Sequence, residues 1–405
     1  MTNKFTPEIR FPGFSSNWKQ QKIGDYLNES RIPGTNGLKA KKLTVKLWGK
    51  GVVPKDEVYK GSEATKYYIR KAGQFIYGKL DFLHQAFGII PDELNGYEST
   101  LDSPAFDIAD NLNSSFFYEY VSRKKFYKYQ GTLANGSRKA KRIHSETFLE
   151  MPLVIPDVEE QNNIGNFFKN IDDTIALHQQ EINILKQIKQ GFLQNIFPKE
   201  GESVPGVRFP EFTSDWKVRK LKDIVDLLKD GTHGTHKDGE DAFLLSAKNI
   251  KNGQIIIDEI TDRKISSFDY NSIFKNYKLM DQDLLVTIVG TIGQTALYTK
   301  TISKLAFQRS VAIIRGTKEV NQDFLKSTFE SNYVQKQLKQ SASMSAQAGV
   351  YLGDLGKFTI NIPELSEQIK IGKFFKRLDD VIALHQREFE ALNSTKKAFL
   401  EKMFV

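Results

Sequence analysis

The sequence contains two segments that each occur twice, in the same order. Residues 11–19 read FPGFSSNWK and residues 209–217 read FPEFTSDWK. Residues 155–197 align with residues 362–404, and 22 of these 43 aligned positions are identical. Because each copy of a repeated segment is expected to occupy an equivalent place, this self-similarity constrains the fold more than any local motif. The chain is predicted to form two related halves about a pseudo-two-fold axis, which suits a long, two-sided partner.

The stretches between the repeated segments differ from each other in sequence and in length. Trp216 follows Trp18 by 198 residues, whereas His385 follows His178 by 207 residues, so the second interior is nine residues longer. Similar flanking segments around dissimilar interiors are expected of two recognition modules that contact different targets and share a common scaffold.

The longer repeated segment has the pattern of a helix in both copies. Its apolar positions alternate in spacing between four and three residues, which is typical of a coiled-coil seam. About 40 residues at ~1.5 Å per residue give a helix about 60 Å long. The best cover for this seam is the other copy, in antiparallel orientation. His178 and His385 lie mid-seam and are predicted to approach each other; alternatively, each is a core histidine bonded to a local carbonyl group.

The interiors are predicted to combine strands with some helix. Residues 284–298 (LLVTIVGTIGQTALY) read as two strands joined by a glycine turn. Residues 307–314 read as a further strand, and residues 323–340 have helical spacing. The predicted fold class is therefore α+β, with two globular α/β domains and two long antiparallel helices.

Composition and charge narrow the range of functions. The 405 residues include no cysteine, no apolar run of about 18 residues and no signal-peptide core, so we expect a cytoplasmic protein without a membrane span. The net charge is +9, of which residues 1–150 carry +8, while the two repeated helical segments together are nearly neutral. This distribution indicates that the globular parts contact a polyanion and that the helices contact protein.

Motifs for catalysis are absent from the sequence. We find no GxxxxGK[ST] loop, no GxGxxG fingerprint, no HExxH and no signature of an amino-methyltransferase.

The acidic pairs Asp172–Asp173 and Asp379–Asp380 are poor acid/base pairs, since adjacent helical residues point about 100° apart; caps, salt bridges or a partner contact are expected instead. His233 and His236 lack further ligands at metal-binding spacing, so the loop DGTHGTHKDG is predicted to contact bases or phosphates rather than a metal.

Basic and aromatic residues alternate at residues 116–130 (FFYEYVSRKKFYKYQ), and a basic loop follows at residues 135–142 (NGSRKAKR). The aromatic side chains are expected to fill a core. The arginines and lysines of the loop are expected to contact DNA, because they neutralise phosphates and arginine also pairs with guanine in the major groove.

The repeated frame resembles the specificity subunit of Type I restriction–modification enzymes. The resemblance rests on IP-x-x-x-E-Q, the GxFF-K step, DD-x-IALHQ and FP-x-F-x-x-x-W, and on DGTH at residues 230–233, SAKNIKNG at residues 246–253 and the VGTIGQTAL strand pair. It covers essentially the whole chain. One departure is that His236–Lys237 stands where the family often has a proline.

The resemblance implies a non-catalytic protein whose two interiors are target recognition domains, each contacting one half of a bipartite, asymmetric DNA site. It implies domains at 1–154 and 199–361, with spacer helices at 155–198 and 362–405. The implied partners are double-stranded DNA, two modification subunits that bind S-adenosylmethionine and two restriction subunits that use ATP; this chain is expected to bind no cofactor or metal. The alternatives are a coiled-coil scaffold without DNA recognition and a stand-alone DNA-modifying enzyme.

The candidate site residues form three groups. For DNA contact, the first recognition domain offers Lys41, Lys42, Arg123, Lys124, Arg138, Lys139 and Arg142. The second offers His233, Thr235, Lys237, Lys248, Asn249, Gln308 and Arg309. For the spacer and its protein partners, the candidates are Phe168, Asp172, Asp173, His178, Phe375, Asp379, Asp380 and His385.

Overall fold

The computed structural model describes residues 5–56, 62–132, 142–300, 304–344 and 348–405. The chain divides into two compact units. Unit 1 comprises Met1–His178 and Glu388–Val405, and unit 2 comprises Gln179–Arg387. Within the described ranges, none of the helices is both long enough and apolar enough to cross a membrane.

Unit 1 contains eleven strands among its described residues. They are β1 (Lys19–Lys22), β2 (Leu27–Ser30), β3 (Pro33–Asn36), β4 (Leu43–Val45), β5 (Val52–Pro54), β6 (Lys66–Ile69), β7 (Phe75–Tyr77), β8 (Phe87–Ile89), β9 (Glu98–Ser99), β10 (Ala105–Ile108) and β11 (Pro152–Ile155). Its helices are α1 (Ser114–Ser122), α2 (Lys124–Gly131), α3 (Ser145–Leu149) and the first part of α4 (Val158–Asn195).

Unit 2 is built in the same manner. Its strands are β12 (Lys217–Lys220), β13 (Val225–Asp230), β14 (Asp238–Leu245), β15 (Ile250–Lys251), β16 (Gln254–Ile255), β17 (Lys264–Ile265), β18 (Leu284–Thr287), β19 (Thr295–Leu297), β20 (Leu305–Phe307), β21 (Val311–Gly316) and β22 (Thr359–Ile362). Its helices are α5 (Ser267–Ile273), α6 (Gln322–Glu330), α7 (Asn332–Ser343), α8 (Leu352–Leu355) and most of α9 (Leu365–Lys402).

The central sheets of the two units have the same strand order. The order in unit 1 is β2-β10-β7-β8 and in unit 2 it is β13-β21-β18-β19, with antiparallel pairing throughout. The predicted hairpin at residues 284–298 is confirmed as β18 and β19. The strand predicted at 307–314 is interrupted at residues 308–310, and the helix predicted at 323–340 is interrupted at Ser331, whose side chain caps α7. The mixed fold class is thus confirmed.

The repeated segments form a buried clamp in each unit. In unit 1, Glu160 is fully buried and accepts hydrogen bonds from Arg10 Nε and Nη2 at 2.8 and 2.7 Å and from Trp18 Nε1 at 3.2 Å. In unit 2, Glu367 accepts the same pair of bonds from Arg208, at 2.8 and 2.7 Å. Bidentate, charge-assisted bonds of this kind fix both position and angle. They explain why the tryptophan element and the Glu-Gln element recur together.

The glycine of the repeated GxFF step allows α4 and α9 to approach a neighbouring helix closely. A Cβ atom on Gly165 would lie 2.3 Å from Asn113 Oδ1, and one on Gly372 would lie 2.6 Å from Asn321 Oδ1. Asn113 and Asn321 are the N-caps of α1 and α6, and each side chain accepts a hydrogen bond from its own helix. A larger residue would therefore collide with a capping group.

Within each unit, parts of the two long helices run antiparallel, as predicted. In unit 1 the ring of Phe167 lies 5.1 Å from that of Phe399, while Asp172 pairs with Lys396. In unit 2 the ring of Phe192 lies 4.9 Å from that of Phe374, while Lys189 pairs with Asp379. Each helix has 38 residues, which corresponds to a length of about 57 Å at ~1.5 Å per residue.

Candidate nucleic-acid interface

Four segments of unit 2 meet at one edge of its central sheet. We call residues 231–237, 246–249, 288–294 and 308–310 the edge loops of unit 2. Thr232 N donates to Phe307 O at 2.6 Å, and Arg309 N donates to Thr232 O at 3.1 Å. Gln308 N donates to Leu245 O at 2.8 Å, and Ile288 N donates to the carbonyl of Ser310 at 2.9 Å. Segments far apart in the sequence are thus held together by backbone hydrogen bonds.

The DGTH motif supplies the local chemistry of the first edge loop. A Cβ atom on Gly231 would lie 2.1 Å from Phe307 O, so only glycine permits this approach of two backbones. Asp230 Oδ2 lies 2.6 Å from His233 Nε2, and Thr232 Oγ1 lies 2.8 Å from His236 Nε2. The motif therefore shapes a loop and presents polar side chains, as its sequence predicted.

The predicted contacts of unit 2 divide into exposed and buried residues. His233, Thr235, Lys237, Lys248 and Arg309 are exposed at the edge loops, and Gln308 is partly buried there. Within the described part of the chain, the guanidinium group of Arg309 makes no hydrogen bond or ion pair. Arginine and lysine side chains in such a position suit phosphate oxygens and the guanine edge.

Asn249 stabilises the fold and is not exposed for the predicted contact with DNA. It is buried, and its amide donates to Asp262 Oδ2 at 2.7 Å and to Ile256 O at 3.0 Å. Lys248 Nζ, on an exposed side chain, lies 2.7 Å from Asp262 Oδ1. Burial alone would raise the pKa of Asp262, but the bonds from Lys248, the Asp258 amide and Asn249 outweigh it and lower the pKa. Asp262 is thus an ionised anchor for Lys248.

The corresponding edge of unit 1 has different loops. We call residues 46–51, 78–86 and 100–104 the edge loops of unit 1. Lys79 N donates to Asp102 O at 2.9 Å, and Trp48 N donates to His84 O at 2.7 Å. Arg142 Nη1 lies 3.6 Å from Asp102 Oδ1, which brings this predicted DNA contact to the edge.

The other predicted contacts of unit 1 are placed differently. Lys41 and Lys124 are exposed. Lys42 is buried, and its ammonium group donates to Gly37 O. Arg123 is buried between the rings of Tyr120 and Phe404 and donates to Val405 O at 2.8 Å; burial lowers its pKa to about 10. Both side chains are thus buried and bonded within the unit, which contradicts their prediction as DNA contacts. Arg138 and Lys139 lie outside the described residues.

Most of the predicted spacer residues have partners inside their own unit. Phe168 and Phe375 are buried against Phe404 and Phe197. His178 Nδ1 lies 3.6 Å from Glu388 Oε2, and His385 Nδ1 lies 3.1 Å from Glu181 Oε2. The approach of the two histidines to each other stays a prediction.

The acidic pairs of the spacer show a division of roles. Asp172 and Asp379 form ion pairs with lysines, as predicted for these residues. Asp173 and Asp380 are exposed, and Asp380 pairs with Lys376 on its own helix at 2.8 Å. A contact of Asp173 or Asp380 with a partner protein stays a prediction.

Sequence reasoning missed two parts of the edges. Residues 288–294 were predicted as the glycine turn between two strands, and Gly290 and Gly293 have positive φ, but this turn was not predicted as part of the interface. Trp48 was not predicted as a site residue, although the segment KLWGKG places this aromatic residue next to a turn-forming glycine and between two lysines. Both segments reach the edges only through contacts that are remote in sequence.

Two units with a shared frame and different edge loops define a tandem recognition protein. The family model described as Type I restriction modification DNA specificity domain matches residues 15–187 and again residues 213–394. The chain therefore belongs to this family, and the resemblance seen in its sequence is confirmed.

Two relatives agree with this assignment. The chain is 23% identical over 294 residues to the Type I restriction enzyme MjaVIII specificity subunit of Methanocaldococcus jannaschii, covering 70% of this chain and 67% of that protein. It is 25% identical over 321 residues to the EcoBI specificity subunit of Escherichia coli, covering 73% and 66% respectively. The match thus spans about two thirds of each relative.

Solved structures show the same fold. The S subunit of a Type I restriction–modification system from M. genitalium superposes with a TM-score of 0.66 at 13% identity, covering 99% of both chains. A chain from a study of complex assembly and conformational transition of the type I R-M system gives a TM-score of 0.50 at 16% identity, covering 98% of this chain and 99% of that one.

Proposed function

We propose that this chain is the DNA-recognition subunit of a Type I restriction–modification complex and that each edge contacts one half of a bipartite, asymmetric site. The observation that carries the proposal is the convergence in unit 2. Residues separated by more than 70 positions, from His233 to Arg309, are brought to one edge and present exposed polar and cationic groups.

The chemistry of the two edges differs, which supports two different half-sites. In unit 2 the contacts proposed are His233, Thr235, Lys237, Lys248, Gln308 and Arg309. In unit 1 they are Lys41, Lys124 and Arg142. Lysines fix the protein on phosphates, whereas arginine, glutamine and threonine can pair with base edges. The buried Lys42, Arg123 and Asn249 act on the edges only through the fold.

The division of labour along the chain follows the family. Residues 1–154 and 199–361 are proposed as the recognition domains, with 155–198 and 362–405 as the spacer. The spacer is proposed to recruit two modification subunits, which carry S-adenosylmethionine, and two restriction subunits, which use ATP. The complex is proposed to act in the cytoplasm, and no cofactor is assigned to this chain.

The decisive experiment is methylome sequencing of cells that express this chain with its modification subunit. The expected result is a methylated motif of two specified parts separated by an unspecified gap. Exchange of residues 20–150 for those of another recognition domain should alter one part alone. A single uninterrupted motif, or no motif, would contradict the proposal.

Single substitutions test the roles assigned at the edge of unit 2. Arg309→Ala should weaken binding by about 1–3 kcal/mol and relax the motif at one position, as expected of a base contact. Lys237→Ala should weaken binding to all sequences and lower the salt slope by about one. Lys220→Ala, exposed on β12 outside the edge loops, should leave the motif unchanged. A flat salt dependence of the wild type would favour a scaffold that binds only protein.

A further inference from the structure

Residues 46–51 form an unusual loop between β4 and β5. Lys46 N donates to Gly51 O at 2.9 Å and closes the loop. Three of its residues, Trp48, Gly49 and Gly51, have positive φ values of 61°, 66° and 77°. Glycine adopts this conformation freely, but a bulky aromatic residue does not. Trp48 is therefore held in an unfavourable backbone conformation by its surroundings.

The surroundings that hold Trp48 belong to another edge loop of unit 1. Trp48 N donates to His84 O at 2.7 Å, and Gly49 N donates to Gln85 O at 3.0 Å. The hydroxyl of Tyr118 donates to Gly49 O at 3.2 Å. The indole ring meets the imidazole ring of His84 edge to face, with centroids 5.3 Å apart. These contacts fix both the backbone and the direction of the ring.

The Trp48 side chain is nevertheless exposed. Its relative exposure is 55%, whereas Trp18 and Trp216, the other two tryptophans of the chain, are 2% exposed. Leu47 and Leu80 are also exposed, at 38% and 42%, and Lys46 and Lys50 flank the ring in the same loop. A rigid ring with apolar neighbours and flanking cations matches the two surfaces of nucleic acid, which are the stacked bases and the phosphates.

We infer that Trp48 contacts the bases of the half-site that unit 1 recognises, with Lys46 and Lys50 on the adjacent phosphates. This inference rests on the proposed function and adds an aromatic contact to it. The ring offers no charge, so it contributes by stacking or by wedging against bases rather than by counterion release. Unit 2 presents no tryptophan at its edge loops, so the two half-sites are read by different chemistry.

Tryptophan fluorescence tests the contact directly, because the two other indole groups are buried. The full chain is titrated with acrylamide, first alone and then with a duplex that carries the methylated motif. We expect one accessible indole in the free chain and strong protection of it by DNA, and Trp48→Phe should abolish the accessible component. Steeply salt-dependent DNA binding with unchanged quenching would overturn the inference and leave the proposed function intact. Absence of any DNA binding would instead overturn the proposed function.

Affinity measurements supply the second test. Trp48→Gly keeps the left-handed backbone accessible, so the loop shape is retained when the ring is removed. We expect affinity for the motif duplex to fall about tenfold to hundredfold, with the slope of affinity against salt unchanged. Lys50→Ala should instead lower that slope. Tyr129→Ala, which removes an exposed ring outside the edge loops, should have no effect.

A protein partner at Trp48 would give a different result. If the purified modification subunit protected the indole from acrylamide in the absence of DNA, the ring would be a protein contact and the inference would be wrong. Unchanged affinity of the Trp48→Gly variant would have the same consequence.

Discussion

The two units differ in how lysines neutralise a glutamate and the aspartate beside it. The aspartates, Asp172 and Asp379, are equivalent in the repeat, whereas the glutamates, Glu119 and Glu330, are not. In unit 1, a single ammonium group, Lys396 Nζ, lies 2.7 Å from Glu119 Oε1 and 2.7 Å from both oxygens of Asp172. In unit 2, Lys189 and Lys326 together bind Glu330 and Asp379, with four N–O distances between 2.5 and 2.9 Å. Lys326 is the additional charge, and unit 1 has Tyr118 at the aligned position.

The difference in charge balance changes the protonation of the buried glutamates. Burial raises the pKa of Glu119 to about 7, since one lysine shared with Asp172 offsets the loss of water only in part. Burial also works to raise the pKa of Glu330, but the charges of Lys326 and Lys189 outweigh it and lower the pKa to about 2. We therefore expect the stability of the two units to respond to pH in opposite directions.

Substitutions in the buried arginine–glutamate contacts that the two units share are expected to change stability most. Glu160→Ala and Glu367→Ala each leave a partly buried arginine without its carboxylate, so each should lower the free energy of unfolding of its unit by about 3 kcal/mol. The effect should be larger in unit 1, because Trp18 also loses its acceptor. Hydrogen exchange of each unit under denaturant measures this. Glu150→Ala, which breaks an exposed pair with Lys22, should cause no measurable change.

Lys326→Met should leave the acidic site of unit 2 with one lysine, the number that unit 1 has. Glu330 and Asp379 would then share only Lys189, and we expect a loss of about 3 kcal/mol at neutral pH. The pKa of Glu330 should rise above its usual value, so the variant should gain stability on acidification. A variant of unchanged stability at pH 7 would show that Lys326 is not needed for charge balance.

Glu119→Gln tests the pH dependence of unit 1. The pKa of Glu119 is higher in the folded state than in the unfolded state, so its contribution is fully present below about pH 4.5 and is lost as the pH rises to about 7. We expect unit 1 of the wild type to lose about 2 kcal/mol over this range. The stability of the Glu119→Gln variant should not change between pH 4.5 and pH 7, and at pH 8 the variant should be more stable than the wild type. Stability of unit 1 that rises with pH between 5 and 7 would contradict the assignment.

Glycines at two places in α4 should respond in opposite directions. Gly165→Ala should destabilise unit 1 by about 1–3 kcal/mol, because the new methyl group would overlap the Asn113 cap. Gly191→Ala meets no atom within 4 Å and should stabilise the helix by about 0.5–1 kcal/mol. Thermal unfolding of the two variants checks both signs, and a loss of stability at position 191 would show that the difference is not steric.

The duplicated frame was predictable because its signals are local and occur twice. The alternating helical spacing of the apolar residues predicted α4 and α9 and the seam between them. The edge loops were predictable only in part. Polar loops such as DGTH can be recognised from their sequence. Whether a lysine or an arginine is exposed depends on the segments that pack over it, as the burial of Lys42 and Arg123 shows.

The sequence alone determined the duplication, the helices of the frame, the mixed fold class and the family, because repeats and periodic patterns can be read directly from the order of residues. Tertiary structure decided which side chains reach the surface and which charges they meet. Asn249 and Lys248 are neighbours in the sequence, yet one holds the core and the other faces solvent. Glu119 and Glu330 lie in similar frames, yet one additional lysine, Lys326 on the same helix as Glu330, separates their pKa values. Such outcomes depend on contacts between distant residues, and burial makes their energies large.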